Sequence, residues 1–189
     1  MEHTTSQFAP ASLDEGTATK IGSMLQQRLG SLVDLALTLK HVHWNVIGPG
    51  FIGVHEMLDE HVAAVRDMSD ELAERIATLG GIPNGLAGHL TESRTWDDYA
   101  LGRGVVEAHL GALDLAYDGI IADHRRAIAE IGALDPVTED LLTAQTGVLE
   151  LHQWFIRAHL ANTSGELPTS EAADELDAAS MAATADPLA

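Results

Sequence analysis

The sequence predicts an all-α fold: four long helices in a bundle, with a long crossover between the second and the third. Three observations carry this. Apolar residues recur at three- and four-residue steps through four long segments. The six prolines, Pro10, Pro49, Pro83, Pro136, Pro168 and Pro187, all fall between those segments, where a missing N–H is tolerated. No segment alternates with the two-residue period of a strand, so none is expected.

The first helix is expected over 16–46, where Leu25, Leu29, Leu32, Leu35, Ala36 and Leu39 form one apolar stripe. The second is expected over 52–80, from Val54, Met57 and Leu58 through Leu72, Ile76 and Leu79, before Gly80-Gly81 stops it. Residues 86–94 read as loop. Thr95 followed by Trp96-Asp97-Asp98 reads as the cap and first turn of a short helix in the crossover. The third long helix is expected over 102–132 through Val106, Leu110, Leu113, Tyr117 and Ile121, although Gly104, Gly111 and Gly119 interrupt the pattern. Asp135-Pro136 is an N-cap followed by a proline at the first helical position, opening a fourth helix that runs to 161. Four helices with one long crossover make the ferritin-like arrangement rather than a simple up-and-down bundle.

A chain of 189 residues suits one such domain, 16–161, with an acidic tail at 1–15 and an acidic, flexible tail at 162–189. Asp and Glu total 29 against 10 Lys and Arg, a net charge of -19, so the chain repels phosphate backbones and anionic lipid; generic DNA binding is disfavoured. Neither 1–19 nor 161–189 holds a single Lys or Arg. Cysteine is absent, which removes disulfides, thiolate catalysis and Cys-ligated metals. No apolar run approaches the ~18 residues of a membrane span, and the first residues resemble no secretory signal; a cytoplasmic protein is expected.

The chemistry concentrates at His43 and Trp44, then His55, Asp59, Asp70 and Glu74. Histidine with carboxylate suits iron or zinc. On one helix His55 and Asp59 are i,i+4 neighbours, as are Asp70 and Glu74, and three turns separate the pairs on the same face. The pairs lie about 16 Å apart along the axis, beyond one metal's reach, so a single chain supplies two half-sites. The set is symmetric about a point between Ala64 and Val65. A twofold axis there would set His55 and Asp59 of one subunit opposite Glu74 and Asp70 of another. His43 and His55 are equidistant from Pro49, which makes them neighbours across an antiparallel hairpin. The inward E-x-x-H motif of intrabundle di-iron sites is absent from the sequence, so the expected site belongs to an interface.

These residues resemble the Dps mini-ferritins. The resemblance rests on Lys40 to Asn45 (KHVHWN), Gly48, Phe51 to Asp59 (FIGVHEMLD), Asp70, Ala73-Glu74-Arg75, Leu79-Gly80-Gly81 and Trp154-Phe155-Ile156, and spans about 20–160. It implies a hollow dodecameric shell of four-helix subunits that oxidises Fe(II), preferably with hydrogen peroxide, and stores the ferric product. Carried over by position, the iron ligands are His43, His55 and Asp59 of one subunit with Asp70 and Glu74 of its partner. The resemblance makes Trp44 a residue beside the iron that either passes an electron or simply packs. It also suggests Asp140 and Glu150, with Arg75 nearby, as the lining of threefold pores that admit iron. Glu56 and Glu60 either nucleate mineral or form a solvated face. The other functions considered are DNA compaction, which the base-free tails disfavour, and a metal-sequestering shell without redox turnover.

Overall fold

The computed structural model describes residues 12–185. Four long helices form two antiparallel hairpins: α1 (Glu15–Asn45) with α2 (Phe51–Thr78), and α4 (Val106–Ile131) with α5 (Pro136–Leu160). Their apolar stripes meet in one core that includes Leu25, Leu32, Leu39, Leu58, Leu72, Leu113, Leu142 and Leu149. This is the ferritin-like bundle read from the sequence. Among the described residues no helix is long and apolar enough to cross a membrane.

The cap expected at Asp135 forms, and Asp14 caps α1 as well. Asp14 accepts the Thr17 N–H at the start of α1, and Asp135 accepts the Val137 N–H ahead of Pro136. Gly80 closes α2 at φ 85°, a left-handed conformation that favours glycine. Between α1 and α2 the chain turns through Gly48 and Gly50 at φ 100° and 75°.

The fold differs from expectation in three places, and the first is the crossover. Its short helix is α3 (Ala87–Ser93), in the stretch read as loop, while Thr95 to Asp98 is not helical. Leu90 is buried and anchors α3, and Gln26 fixes the approach by donating to Asn84 O and accepting from Asn84 N. Beyond it, Trp96 Nε1–H donates to Asp34 at 2.6 Å and Arg94 pairs with Asp34 and Asp98, so these residues are spent on α1 and on each other rather than on a helical turn. Strands also exist. β1 (Val46–Ile47) and β2 (Gly104–Val105) pair in parallel, which delays the start of α4 to Val106; two-residue strands have no period to read.

The third difference is at the C-terminal end. The segment expected to trail as a flexible tail carries α6 (Glu175–Thr184), packed on α4. Asp174 caps it by accepting from Asp177 N, and Ala178, Ala179 and Ala182 are buried. Gly111 of α4 makes the approach possible: a Cβ there would sit 2.6 Å from the Ala178 carbonyl oxygen. The connection is fastened at buried Asp114, which accepts from Gln153, Arg157 and Thr169. Glu175 accepts from Ala100 N, tying α6 to the crossover. Most of the N-terminal tail lies outside the described residues.

Inside the bundle, His61 of α2, His152 of α5 and Tyr117 of α4 meet. The two imidazoles stack at 3.8 Å and 5°, and the Tyr117 hydroxyl and His61 Nδ1 share a hydrogen bond of 3.2 Å. Burial, reinforced by His152, pushes His61 down to about 3; burial pushes His124 down to about 4 and lowers His109 and His152. The unfolded chain binds a proton at each near pH 6.5 while the folded chain refuses it. Stability is therefore expected to be full above pH 6.5. It should fall as pH drops toward 4, by up to about 1.4 kcal/mol per pH unit for each of His61 and His124. Denaturant unfolding of the protein at pH 7, 6, 5 and 4.5 checks this; a flat profile would contradict it.

Candidate metal centre

The α1–α2 hairpin brings the C-terminal turn of α1 against the start of α2, and with it His43 against His55. Their rings stack at 3.6 Å between centroids with a 21° tilt. Each ring is held by the other residue's backbone: His43 Nδ1 is 2.9 Å from His55 O, and His55 Nδ1 is 2.9 Å from His43 O. A carbonyl can only accept, so both Nδ1 atoms carry the proton and donate it. In a neutral imidazole so held, Nε2 keeps the lone pair, the tautomer a metal requires.

Asp59 lies one turn along α2 from His55. Its Oδ1 is 3.5 Å from His43 Nδ1 and accepts from Lys40 Nζ at 2.6 Å. That hydrogen bond from Lys40 holds the Asp59 carboxyl below the usual carboxylate value, with the neighbouring His43, Lys40 and His55 adding to it. Lys40 was assigned no role from the sequence. The signal was present, because residues 40 and 59 bracket Pro49 almost as evenly as 43 and 55 do. A cation at Asp59 would have to compete with this ammonium.

Asp70 and Glu74 are exposed on α2 and make no hydrogen bond or ion pair among the described residues. α2 is uninterrupted from Phe51 to Thr78, so they stand away from His55 and Asp59 by the helical rise, about 16 Å from Asp59 to Asp70. The chain does not bring the five residues together, and among the described residues no three His, Asp or Glu of one chain are placed to hold a metal. Trp44 is 71% exposed beside the histidine pair, so it does not pack within this chain.

The residues suggested as pore lining do not meet either. Asp140 is exposed and Glu150 is bonded to Arg125, with Nε to Oε1 at 2.8 Å. Arg75 is spent elsewhere, donating to Asp135 at 2.6 Å and Thr138 at 2.9 Å, where it fastens the start of α5 to α2. Glu56 and Glu60 are exposed.

The Ferritin-like domain family matches residues 23–165. A "DNA protection during starvation protein" of Mycolicibacterium smegmatis is 50% identical over 93% of this chain and 96% of its own. The "Fine tangled pili major subunit" of Haemophilus ducreyi is 52% identical over 87% of each chain. Among solved structures, Mycobacterium smegmatis Dps superposes with a TM-score of 0.86 at 50% identity, covering 90% of this chain and 98% of that one. DpsA14 from Streptomyces coelicolor gives 0.84 at 51% identity, covering 86% and 97%. By family match, by sequence identity across nearly its full length and by fold, this chain belongs to the Dps family of ferritin-like proteins.

Proposed function

We propose that the protein is a ferroxidase that oxidises Fe(II) with hydrogen peroxide at sites shared by two subunits. It would store the ferric product in a hollow dodecameric shell and so protect against oxidative stress. Family membership supports iron storage and protection in general terms; the single observation that carries the finer reading is the reciprocal lock of His43 and His55, which turns both Nε2 atoms away from the backbone beside Asp59, whose carboxyl is held below its usual value. The other two ligands would be Asp70 and Glu74 of a partner subunit.

In this reading iron is the substrate. Two imidazoles and three carboxylates bind Fe(II) at neutral pH and leave coordination positions open. Each peroxide molecule takes one electron from each of two Fe(II) ions and two protons from solvent; its O–O bond breaks and two waters leave. Trp44, exposed next to His43 in the sequence, would pass or trap an electron during peroxide reduction. Asp140 and Glu150 remain proposed as pore lining, with Glu150's charge partly offset by Arg125. The net charge of -19, repeated in every subunit, enriches Fe(II) around the shell at low ionic strength.

The test is anaerobic Fe(II) loading followed by peroxide. Ultraviolet absorbance should grow rapidly as ferric product forms, and should do so much faster than with oxygen. Loading without any such growth would favour the metal-sequestering shell. DNA compaction makes a separate prediction: cations must cluster where DNA binds, and 161–189 has none, so deleting it should leave DNA retention in a low-salt gel shift unchanged.

A further inference from the structure

A cleft of ≈ 490 Å³ opens between α1, α3 with the segment that follows it, and the later turns of α4. The chain has ten Lys and Arg in all, yet Arg28, Arg94 and Arg126 line this one cleft, with His89 beside them. The carboxylates in its lining are Asp123 and Glu130. In a protein of net charge -19, a wall where cations outnumber carboxylates runs against the global field.

Arg28 is the informative residue. Its side chain is only 9% exposed, and Nη1 lies 2.9 Å from Asp123 Oδ2. The approach is off the N–H direction, so Nη1 is enclosed without a hydrogen-bond partner. Nη1 is thus ion-paired with Asp123 without a directed hydrogen bond. Such a buried donor is costly unless an acceptor reaches it. Asp123 is shared, since Arg126 also pairs with it, so one carboxylate faces two guanidiniums. Burial, together with repulsion from Arg126, pulls the Arg28 guanidinium down to about 10. Arg94 is held in place from outside the cleft by Asp34 and Asp98. A small group offering several acceptor oxygens and negative charge to more than one guanidinium would complement this arrangement.

We propose that this cleft binds a tetrahedral oxyanion of the phosphate type, free or as a phosphate monoester, held by Arg28 and Arg126 with Arg94 at its rim. The volume exceeds one phosphate. Trp96, 38% exposed, with Met24 and Ala127 gives the remainder an apolar wall suited to an organic group carried on the phosphate.

The experiment uses iron-free, full-length protein in its native assembly, titrated calorimetrically with inorganic phosphate and with adenosine monophosphate, each against chloride at matched ionic strength. Saturable binding of either probe above the chloride control is expected. Arg126→Gln should weaken it by about tenfold or more, and Arg126→Lys by less. Because Arg126 is 69% exposed on its side chain, this variant spares the buried Arg28–Asp123 contact and tests the site without risking the fold. Equal binding of both probes would assign the site to free phosphate. Tighter binding of the nucleotide, with the excess removed by Trp96→Ala, would assign it to a monoester. No binding beyond chloride by either probe, or Arg126→Gln binding as tightly as the parent, would overturn the proposal.

Discussion

Gly111→Ala and Gly119→Ala, eight residues apart on α4, are expected to shift stability in opposite directions. Helix propensity alone predicts a gain of about 1 kcal/mol at both. At Gly119 nothing lies within 4 Å of the added Cβ, so the gain should be realised. At Gly111 the Cβ would meet the Ala178 carbonyl oxygen at 2.6 Å and the Ala182 Cβ at 2.8 Å, both closer than real contacts allow. One neighbour is backbone and the other a methyl on a helix, so neither can swing aside; α6 must retreat. Overpacking of this kind costs about 1–3 kcal/mol, which outweighs the propensity gain. Gly111→Leu should expel α6 outright, and the amides of Ala178 to Thr184 would then exchange with solvent as in a free peptide. Denaturant unfolding of the two alanine variants and hydrogen exchange of the leucine variant check this. Retained protection in the leucine variant would show that α6 does not depend on Gly111.

The same contact explains why α6 escaped the sequence reading. Its buried residues are Ala178, Ala179 and Ala182, too small to stand out as an apolar stripe among the acidic residues around them. What holds the helix is a match of small residues against Gly111 some 67 positions earlier, a pairing no local window contains. Gly111 itself counted against the third helix when read locally, and in three dimensions it is what α6 requires. The crossover was misread for a related reason: Leu90 and the Trp96–Asp34 hydrogen bond act across about 60 residues and override the local capping signal at Thr95. The four long helices, by contrast, announce themselves through period and proline placement, because each needs only its own stripe to be recognised.

Half of the candidate site was equally legible. Distance from Pro49 places His43 beside His55, and the structure sets their rings 3.6 Å apart. The same measure would have found Lys40 opposite Asp59 had cations been considered alongside ligands. Arg75, suggested as a pore residue, serves Asp135 and Thr138 instead; its partners sit 60 and 63 residues away, where spacing gives no guidance. Asp70 and Glu74 lie on the same uninterrupted helix face as His55 and Asp59, and what would bring them to iron is a second subunit, which one chain's geometry does not contain.

A mixture of two inactive variants is expected to recover about a quarter of the ferroxidase sites, and this tests the shared site directly. One variant carries His43→Ala, His55→Ala and Asp59→Ala, and loses both imidazole donors and their adjoining carboxylate. The other carries Asp70→Ala and Glu74→Ala. All substitutions except those at His43 and His55 fall on exposed positions of α2, where alanine favours the helix, so folding and assembly should survive. His43→Ala empties a largely buried position, and helical content and native mass of that variant serve as its controls. Each variant alone should lack rapid peroxide-dependent oxidation, since each site lacks either three ligands or two. In a twofold pair made of one copy of each, one site receives both intact halves and the other both damaged ones. Random pairing makes half the pairs mixed, which yields about one working site in four. Co-expression with distinct tags and purification through both selects shells containing both variants. Stopped-flow absorbance after peroxide addition should then show a fast phase, absent from either parent, at about a quarter of the wild-type amplitude. If both variants fold and demonstrably share shells yet the mixture stays as slow as its parents, then Asp70 and Glu74 do not complete the His43–His55–Asp59 half-site. The symmetry of these positions about the middle of α2 would then carry no chemical meaning.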